Sequence, residues 1–307
     1  MAAMSPATDT AANPIAAFYG GHRVARGLGQ ALQAVQRLAP GWGTRLALRL
    51  FFTPLPTKRG SRRRDLPAGW TLERWPFESG SMAVYRRDGA PPGRPTVLLV
   101  HGWAGHALQM QALGDAVFDA GANPVLLDLP GHGRSDGWRS TLPQFVRGIW
   151  AASARLGPLQ AVVAHSMGAV AAAHAAAHGL PVDRLALIAT SPPPKLVLKW
   201  FANGFGLGGA MSMRMRRLIE QREGIDLEGF EPDELAPRLP RATLVVHDED
   251  DRAAPPALAR HLADQVAGSR WFATRGLGHR RVLADAEVVR QVAEHVTAPM
   301  NTDDSGR

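Results

Sequence analysis

The chain of 307 residues contains no cysteine. This absence excludes disulfide bonds, a thiolate nucleophile and any zinc site built on cysteine. Long apolar runs are also missing, since no stretch reaches the length of about 18 residues that a membrane-spanning helix needs. Residues 1–13 lack the basic and apolar segments of a secretory signal. We therefore expect a cytoplasmic protein as the default.

Acidic residues are nearly absent from the first 64 positions. Asp9 is the one acid there, against ten Lys and Arg, whereas the whole chain has a net charge of +8. Apolar side chains recur at helical spacing over residues 15–38 and again over residues 46–52. We therefore expect residues 1–64 to form a basic, helical N-terminal extension.

This extension has two candidate roles. Because apolar helical faces are usually buried against protein, we expect residues 15–52 to pack on the core formed by the rest of the chain and residues 56–65 to form a solvated tether. The alternative is weak peripheral contact with an anionic membrane surface. Nucleic-acid binding is not expected, because no motif that reads nucleic acid accompanies the charge. The sequence does not predict an oligomeric state.

Short apolar runs alternate with helical patterns through the rest of the chain. Unalternated runs of this kind are typical of strands buried on both faces of a parallel sheet, and two leading segments joined by a turn predict an antiparallel pair. The predicted strands cover residues 70–75, 81–87, 96–100, 124–127, 161–164, 185–189, 243–246 and 270–273. The predicted helices cover residues 108–120, 142–156, 167–178, 256–266 and 286–296. Together they predict an α/β fold.

Ser166 lies between an apolar run and an Ala-rich helical run, in the stretch Ala164-His165-Ser166-Met167-Gly168. A tight turn from strand to helix exposes a serine hydroxyl as a nucleophile, and small residues two positions to either side allow strand and helix to approach each other. We therefore interpret Ser166 as a candidate nucleophile.

Three other segments contain the groups that an activated serine needs. Trp103 lies in a glycine-rich turn after a predicted strand, and its backbone N–H can form an oxyanion hole together with the N–H of Met167. The acidic turn at residues 248–251 follows another strand and is a place for the carboxylate of a triad. His279 lies between glycine and basic residues after the last strand, and it is the candidate general base.

In this order, the motifs resemble those of the α/β-hydrolase-fold serine hydrolases, which include esterases, lipases and C–C hydrolases. The resemblance covers about residues 69–296 and rests on His101-Gly102, DLPGHGRS at 128–135, HSMG at 165–168, DEDD at 248–251 and Gly278-His279. Two positions depart from it. Ala164 stands where the family most often has glycine, and Asp248 stands where many members have glycine.

The resemblance implies the α/β-hydrolase fold, with a mostly parallel central sheet flanked by helices and a small cap insertion at about residues 191–242. The domains would then be the extension at 1–64 and the hydrolase domain at 65–307. Within the acidic turn, the family's spacing favours Asp251 as the triad acid, with Asp250 as the runner-up and Asp248 and Glu249 behind it. The motif residues Asp128, His101 and His132 are expected to support loops.

The activity that the resemblance implies is hydrolysis of a carboxylic ester through an acyl-enzyme intermediate, without a cofactor or a metal. The alternatives on the same triad are C–C bond hydrolysis, thioester hydrolysis and acyl transfer, and a non-catalytic binding protein is the alternative from another class. Relatives that use an aspartate nucleophile are disfavoured because Ser166 occupies that position. An apolar cap favours a small-molecule ester with an apolar group. The cap residues concerned are Trp200, Phe201, Phe205, Leu207, Met211, Met213, Met215 and Leu218.

Overall fold

A computed structural model describes residues 22–55, 58–62 and 64–299. The chain divides into two compact units. We call the first the helical unit, whose described residues are 22–51 together with Lys195–Ile219. The second, the sheet unit, consists of Phe52–Pro194 and the residues from Glu220 onward.

The sheet unit is built on eight strands. They are β1 (Trp70–Phe77), β2 (Gly80–Arg87), β3 (Thr96–Val100), β4 (Asn123–Asp128), β5 (Leu159–His165), β6 (Val182–Ile188), β7 (Thr243–Asp248) and β8 (Arg270–Thr274). Their order in the sheet is β1-β2-β4-β3-β5-β6-β7-β8, and β2 is antiparallel to both of its neighbours whereas the other neighbouring pairs are parallel. This mostly parallel sheet confirms the predicted fold class.

Helices connect the strands and cover the sheet. They are α3 (Arg59–Arg62), α4 (Gln111–Asp119), α5 (Leu142–Leu156), α6 (Met167–Ala177), α9 (Pro232–Leu235), α10 (Pro256–Gln265), α11 (Gly278–Arg281) and α12 (Ala286–Thr297). Helix α12 packs on α4 and on strands β5 to β7, while α5 packs on α6. The central strands are therefore buried, which explains their unbroken apolar sequence, and a core cluster joins β3, β4 and β5 to α4 and α12.

The helical unit contains α1 (His22–Leu38), α2 (Pro40–Phe51), α7 (Pro194–Gly204) and most of α8 (Gly208–Glu223). A proline at residue 40 cannot continue α1, but it suits the first position of α2. The N-terminal helices pack on the cap helices, because Gln33 donates a hydrogen bond to the Gly206 carbonyl over 2.6 Å and the Phe51 ring meets Phe201 edge to face at 5.1 Å. Residues 15–21 of the predicted helical pattern lie outside the described residues.

The predicted solvated tether at residues 56–65 disagrees with the structure at Lys58, whereas Arg62, Arg64 and Asp65 are exposed. Lys58 is buried, and its ammonium donates hydrogen bonds to the carbonyls of Ser135 and Gly137. Burial is the main cause that lowers the pKa of Lys58 to about 8. The Trp138 ring lies 5.1 Å from this ammonium. The solvated tether is therefore a wrong prediction at Lys58, because the basic run holds the loop at residues 135–138.

Across the described ranges, no helix is both long enough and apolar enough to cross a membrane.

Candidate active site

Ser166 occupies a strained turn between β5 and α6. Its backbone has φ 54° and ψ −121°, a left-handed value of φ that non-glycine residues rarely adopt. The neighbouring strand β6 holds this turn in place, since the Ser166 N–H donates to the Ile188 carbonyl over 2.9 Å. The side chain is mostly buried, with 8% of the residue exposed. This geometry presents the hydroxyl at the carboxyl end of the sheet, as the sequence predicted.

Glycines at positions 102 and 168 allow the loop after β3 to touch this turn. A Cβ atom on Gly102 would lie 2.6 Å from the Ser166 Cβ, and one on Gly168 would lie 2.4 Å from the His101 carbonyl oxygen. Both distances are shorter than any van der Waals contact allows, so side chains larger than hydrogen are excluded here. The Gly at 168 is therefore required by packing, whereas Ala164 sits in β5 with no exposed surface.

Three side chains form a continuous hydrogen-bonded line. The Ser166 hydroxyl lies 3.0 Å from His279 Nε2, and His279 Nδ1 lies 2.7 Å from Asp251 Oδ2. Because the Asp251 carboxylate can only accept, Nδ1 carries the proton and Nε2 is free to accept from the serine. The structure thus brings together three of the predicted site residues, and it places Asp251 rather than Asp250 against the histidine.

Asp251 is held as a carboxylate by its surroundings. Burial alone would raise its pKa, but hydrogen bonds from His247 and His279 and from the Ala254 N–H outweigh burial and lower the pKa overall. Asp251 Oδ1 accepts the N–H groups of Ala253 and Ala254 over 2.8 and 3.0 Å, and the His247 Nε2 lies 3.4 Å from Oδ2. Asp251 therefore keeps its charge and can stabilise an imidazolium at His279.

Asp248 and Asp250 bind the backbone of the histidine loop instead of the imidazole. Asp248 Oδ2 accepts from the Thr274 hydroxyl over 2.8 Å and from the Leu277 N–H over 3.0 Å. Asp250 Oδ2 accepts from the Gly276 N–H over 2.9 Å. The residue that departs from the family pattern thus ties the acidic turn to the loop that carries His279. This role was not predicted from the sequence, because the partners of the Asp248 carboxylate lie at least 26 residues away along the chain.

His165 is a second residue whose contribution the sequence analysis missed. Its Nε2–H donates to the His279 carbonyl over 2.8 Å, and the two imidazole rings lie 4.8 Å apart. Burial is the largest cause that lowers the pKa of His165 to about 3, and the neighbouring His279 adds to it. A neutral His165 therefore supports the backbone of His279 without titrating at neutral pH.

Buried neutral histidines predict a loss of stability in mild acid. The unfolded chain takes up protons on histidine as pH falls through about 6.5, whereas folding lowers the pKa of His165, His101 and His132 through burial. The free energy of unfolding should therefore fall between pH 7.5 and pH 5, by about 2 kcal/mol for His165 alone. Thermal melting at both pH values measures this loss.

The matched pair for that measurement is His165→Asn and His261→Asn. His261 is exposed and bound to Asp233 on the surface. The His165 variant should lose part of the pH dependence of melting, and the His261 variant should keep it. Equal pH dependence in wild type and His165→Asn would contradict the role of His165 as a buried neutral group.

The predicted oxyanion-hole amides both lie beside Ser166. Met167 is the first residue of α6, where N–H groups have no partner within the helix. Trp103 directly follows Gly102, whose close contact with Ser166 places this loop against the serine. Trp103 also packs its ring against His132 at 5.2 Å and against Phe145 at 6.4 Å. The N–H groups of these two residues remain the candidates for binding a developing oxyanion.

The DLPGHGRS segment supports this loop through Asp128. The Asp128 carboxylate accepts from the Ala107 N–H over 2.6 Å, the Arg134 N–H over 2.7 Å and the Tyr85 hydroxyl over 2.8 Å. His101 Nε2 accepts from the Leu129 N–H over 3.1 Å, and His132 Nε2 accepts from the Ala104 N–H over 3.1 Å. Asp128, His101 and His132 thus hydrogen-bond to the backbone of the surrounding loops, as expected from the sequence.

The residues of the described part of the chain include no group of three His, Asp or Glu side chains placed to hold a metal ion. The arrangement around Ser166 contains a candidate nucleophile, a histidine placed to accept its proton, a carboxylate that orients the histidine and two candidate oxyanion donors. Such a set is able to transfer an acyl group through the serine.

Comparison with known proteins agrees with this architecture. Residues 95–228 match the family model of the α/β-hydrolase fold. No curated protein matches the chain significantly. Among solved structures, the esterase Est1E from Butyrivibrio proteoclasticus with bound ferulic acid is similar over 73% of this chain and 96% of its own, with 19% identity and a TM-score of 0.58.

Two further structures have the same fold. A membrane phospholipase A, described as a bacterial virulence factor, is similar over 89% of this chain and 97% of its own, with 18% identity and a TM-score of 0.56. A serine hydrolase from Cycloclasticus zankles is similar over 74% and 97%, with 16% identity and a TM-score of 0.55. The sheet topology, the matched family model and these structural similarities together show that the chain has the α/β-hydrolase fold.

Proposed function

We propose that the protein is a serine hydrolase that cleaves a carboxylic ester through an acyl-serine intermediate. The observation that carries the proposal is the line from Ser166 Oγ to His279 Nε2 at 3.0 Å and from His279 Nδ1 to Asp251 at 2.7 Å, beginning at a strained strand-to-helix turn. A non-catalytic scaffold has no need for this strain or for an intact triad.

The reaction begins when His279 Nε2 takes the proton of Ser166 and the serine oxygen attacks the ester carbonyl. The carbonyl oxygen becomes an oxyanion that accepts hydrogen bonds from the backbone N–H groups of Trp103 and Met167. Collapse of this intermediate breaks the bond to the alcohol, which leaves with the proton from His279. Water, deprotonated by His279, then attacks the acyl-serine, and the carboxylic acid leaves as Ser166 regains its proton. Asp251 stabilises the imidazolium at both stages.

The apolar character of the substrate rests on the composition of the cap. Four of its apolar side chains, Phe201, Phe205, Met211 and Met215, are buried within the helical unit and therefore serve packing. Trp200, Leu207 and Leu218 are half-buried. The proposal of an apolar acyl or alcohol group depends on these remaining residues, and the length of the preferred chain is a matter for measurement.

A panel of p-nitrophenyl esters of increasing acyl length, each paired with the thioester of the same acid, tests the proposed substrate class. We expect ester turnover to exceed thioester turnover and to rise with chain length from the acetate. A fluorophosphonate probe should label the wild-type protein at Ser166 and should leave Ser166→Ala unlabelled. Labelling at Ser166 together with a preference for thioesters would contradict the proposed substrate class, but it would support Ser166 as the nucleophile. If the protein shows neither labelling nor turnover, the proposal that it is a serine hydrolase is wrong.

A further inference from the structure

The helical unit carries the positive charge of the whole protein. Its residues 22–51 and 195–219 contain ten Lys and Arg and no Asp or Glu. Residues 52–194 and 220–307 contain 25 Lys and Arg against 26 Asp and Glu. Five of these ten cations come from the cap helices, so the positive charge gathered in this unit comes from two separate segments of the sequence. An all-cationic surface favours an anionic partner.

The same unit also concentrates the exposed apolar side chains. In the described part of the chain seven large apolar residues are exposed, and five of them belong to the helical unit, which has about a fifth of the described residues. These five are Leu28, Leu38, Trp42, Leu46 and Met213. Leu38 is 88% exposed and Trp42 is 63% exposed, so both present nearly whole side chains to their surroundings. Isolated exposed apolar residues are ordinary, but such a concentration on a small unit marks an interaction surface.

Helix α2 has one packed face and one exposed face. Its inner face is packed, since Ala47 and Leu48 are buried and the Thr44 hydroxyl lies 3.5 Å from the Met211 sulfur. Trp42 and Leu46 lie four residues apart on the opposite face, as neighbours along the helix. The helix cannot turn this face inward without breaking the packed one. The side chains of Trp42 and Leu46 therefore stay on the exposed face of α2.

Cations accompany the outward apolar side chains. The Arg45 guanidinium lies 5.7 Å from the centre of the Trp42 ring, and Arg37 is exposed next to Leu38. A tryptophan beside an arginine, on the exposed face of a helix whose other face is packed, is typical of helices that lie at the interface of a bilayer. We propose that the helical unit docks on an anionic lipid surface, with Leu38, Trp42 and Leu46 among the acyl chains and Arg37 and Arg45 at the headgroups.

Two other occupants fit these observations less well. A second copy would bring two all-cationic faces together, and like charges in an interface oppose association. A nucleic acid would neutralise the arginines, but it offers no apolar layer to Leu38 and Leu46. Anionic lipid satisfies both kinds of side chain at once.

Sedimentation of the full-length protein with vesicles of phosphatidylcholine, with or without phosphatidylglycerol, tests the proposal. Binding should require phosphatidylglycerol and should weaken as salt rises. Trp42→Ala should weaken binding by roughly tenfold, because the variant loses the free energy of transferring the tryptophan side chain from water to the acyl chains. Arg37→Gln should weaken it by about fivefold, the effect of one cation at the surface.

Matched controls come from the sheet unit. Trp150, an exposed tryptophan on α5, provides Trp150→Ala, and the exposed Arg139 provides Arg139→Gln. Both controls should bind vesicles like wild type, and melting curves should show that all four variants fold. Equal binding by the Trp42 and Trp150 variants would overturn the proposal, and so would binding to duplex DNA without binding to vesicles. Turnover of a soluble ester reports the active site separately, so an inactive protein that still binds vesicles would refute the proposed function alone.

Discussion

The Ser166→Ala variant should lose nearly all activity, with kcat lower by on the order of 10⁴ to 10⁶, because members of a triad act as a unit. The hydroxyl removed is the one that lies 3.0 Å from His279 Nε2, so no oxygen remains to form the acyl-enzyme. His279→Ala should have an effect of the same order, since the proton of Ser166 then has no acceptor. Steady-state hydrolysis of a p-nitrophenyl ester measures both.

Suitable controls for these two variants are Ser269→Ala and His261→Ala. Ser269 donates to the Ala263 carbonyl and His261 binds Asp233, and both lie outside the hydrogen-bonded line. They should retain wild-type kcat. If Ser166→Ala folds, as judged by an unchanged melting temperature, and still retains about a tenth of the turnover, the assignment of the nucleophile is wrong.

The second large effect is expected at the carboxylate. Asp251→Asn should lower kcat by about 10⁴, because an amide in place of the carboxylate leaves the imidazole in the wrong tautomer. In the wild type, Asp251 Oδ2 accepts the proton of His279 Nδ1 over 2.7 Å. Asparagine can instead donate to this nitrogen, which moves the imidazole proton to Nε2 and removes the acceptor for Ser166. The kcat of the purified variant measures the loss.

Asp250→Asn is the matched control, because Asp250 precedes Asp251 in the same turn and accepts only from the backbone of the histidine loop. It should keep kcat within about tenfold of wild type, the scale of losing one exposed hydrogen bond. A larger loss in Asp250→Asn than in Asp251→Asn would show that the acid has been assigned to the wrong residue.

The parts of this structure that the sequence predicted are those governed by local pattern. Strands with unbroken apolar sequence were predictable because burial on both faces leaves no polar alternation. All eight were placed, with ends that differ by up to three residues, as where β6 begins at Val182 and not at Leu185. The turn at Ser166 was predictable because strand, serine and helix follow one another in the chain.

Contacts between distant segments account for what was missed. Nothing near Asp248 in sequence indicates that its carboxylate binds Thr274 and Leu277, which lie at least 26 residues away. His165 likewise meets His279 across 114 positions. The buried Lys58 was read as part of a solvated basic run, because its acceptors at Ser135 and Gly137 come from a loop that the local sequence does not reveal. Charge and polarity predicted exposure, whereas tertiary hydrogen bonds permitted burial.

The packing of the N-terminal helices on the cap helices is another contact between distant segments that the sequence does not predict. The periodicity of residues 22–38 predicts an apolar face, but it does not say which surface covers that face. In the structure Gly29 lies so close to Phe205 that a Cβ atom would be 2.0 Å from the Phe205 carbonyl oxygen. This close approach is visible only in three dimensions.

The proposed mechanism requires Ser166 to form a covalent acyl intermediate. The most direct test is mass spectrometry of the intact protein, and then of its peptides, after acid quenching within the first turnover of p-nitrophenyl acetate. We expect one acetyl group, located on Ser166, and none in the Ser166→Ala variant. Turnover of the ester without any covalent adduct, or an acetyl group on a residue other than Ser166, would contradict it.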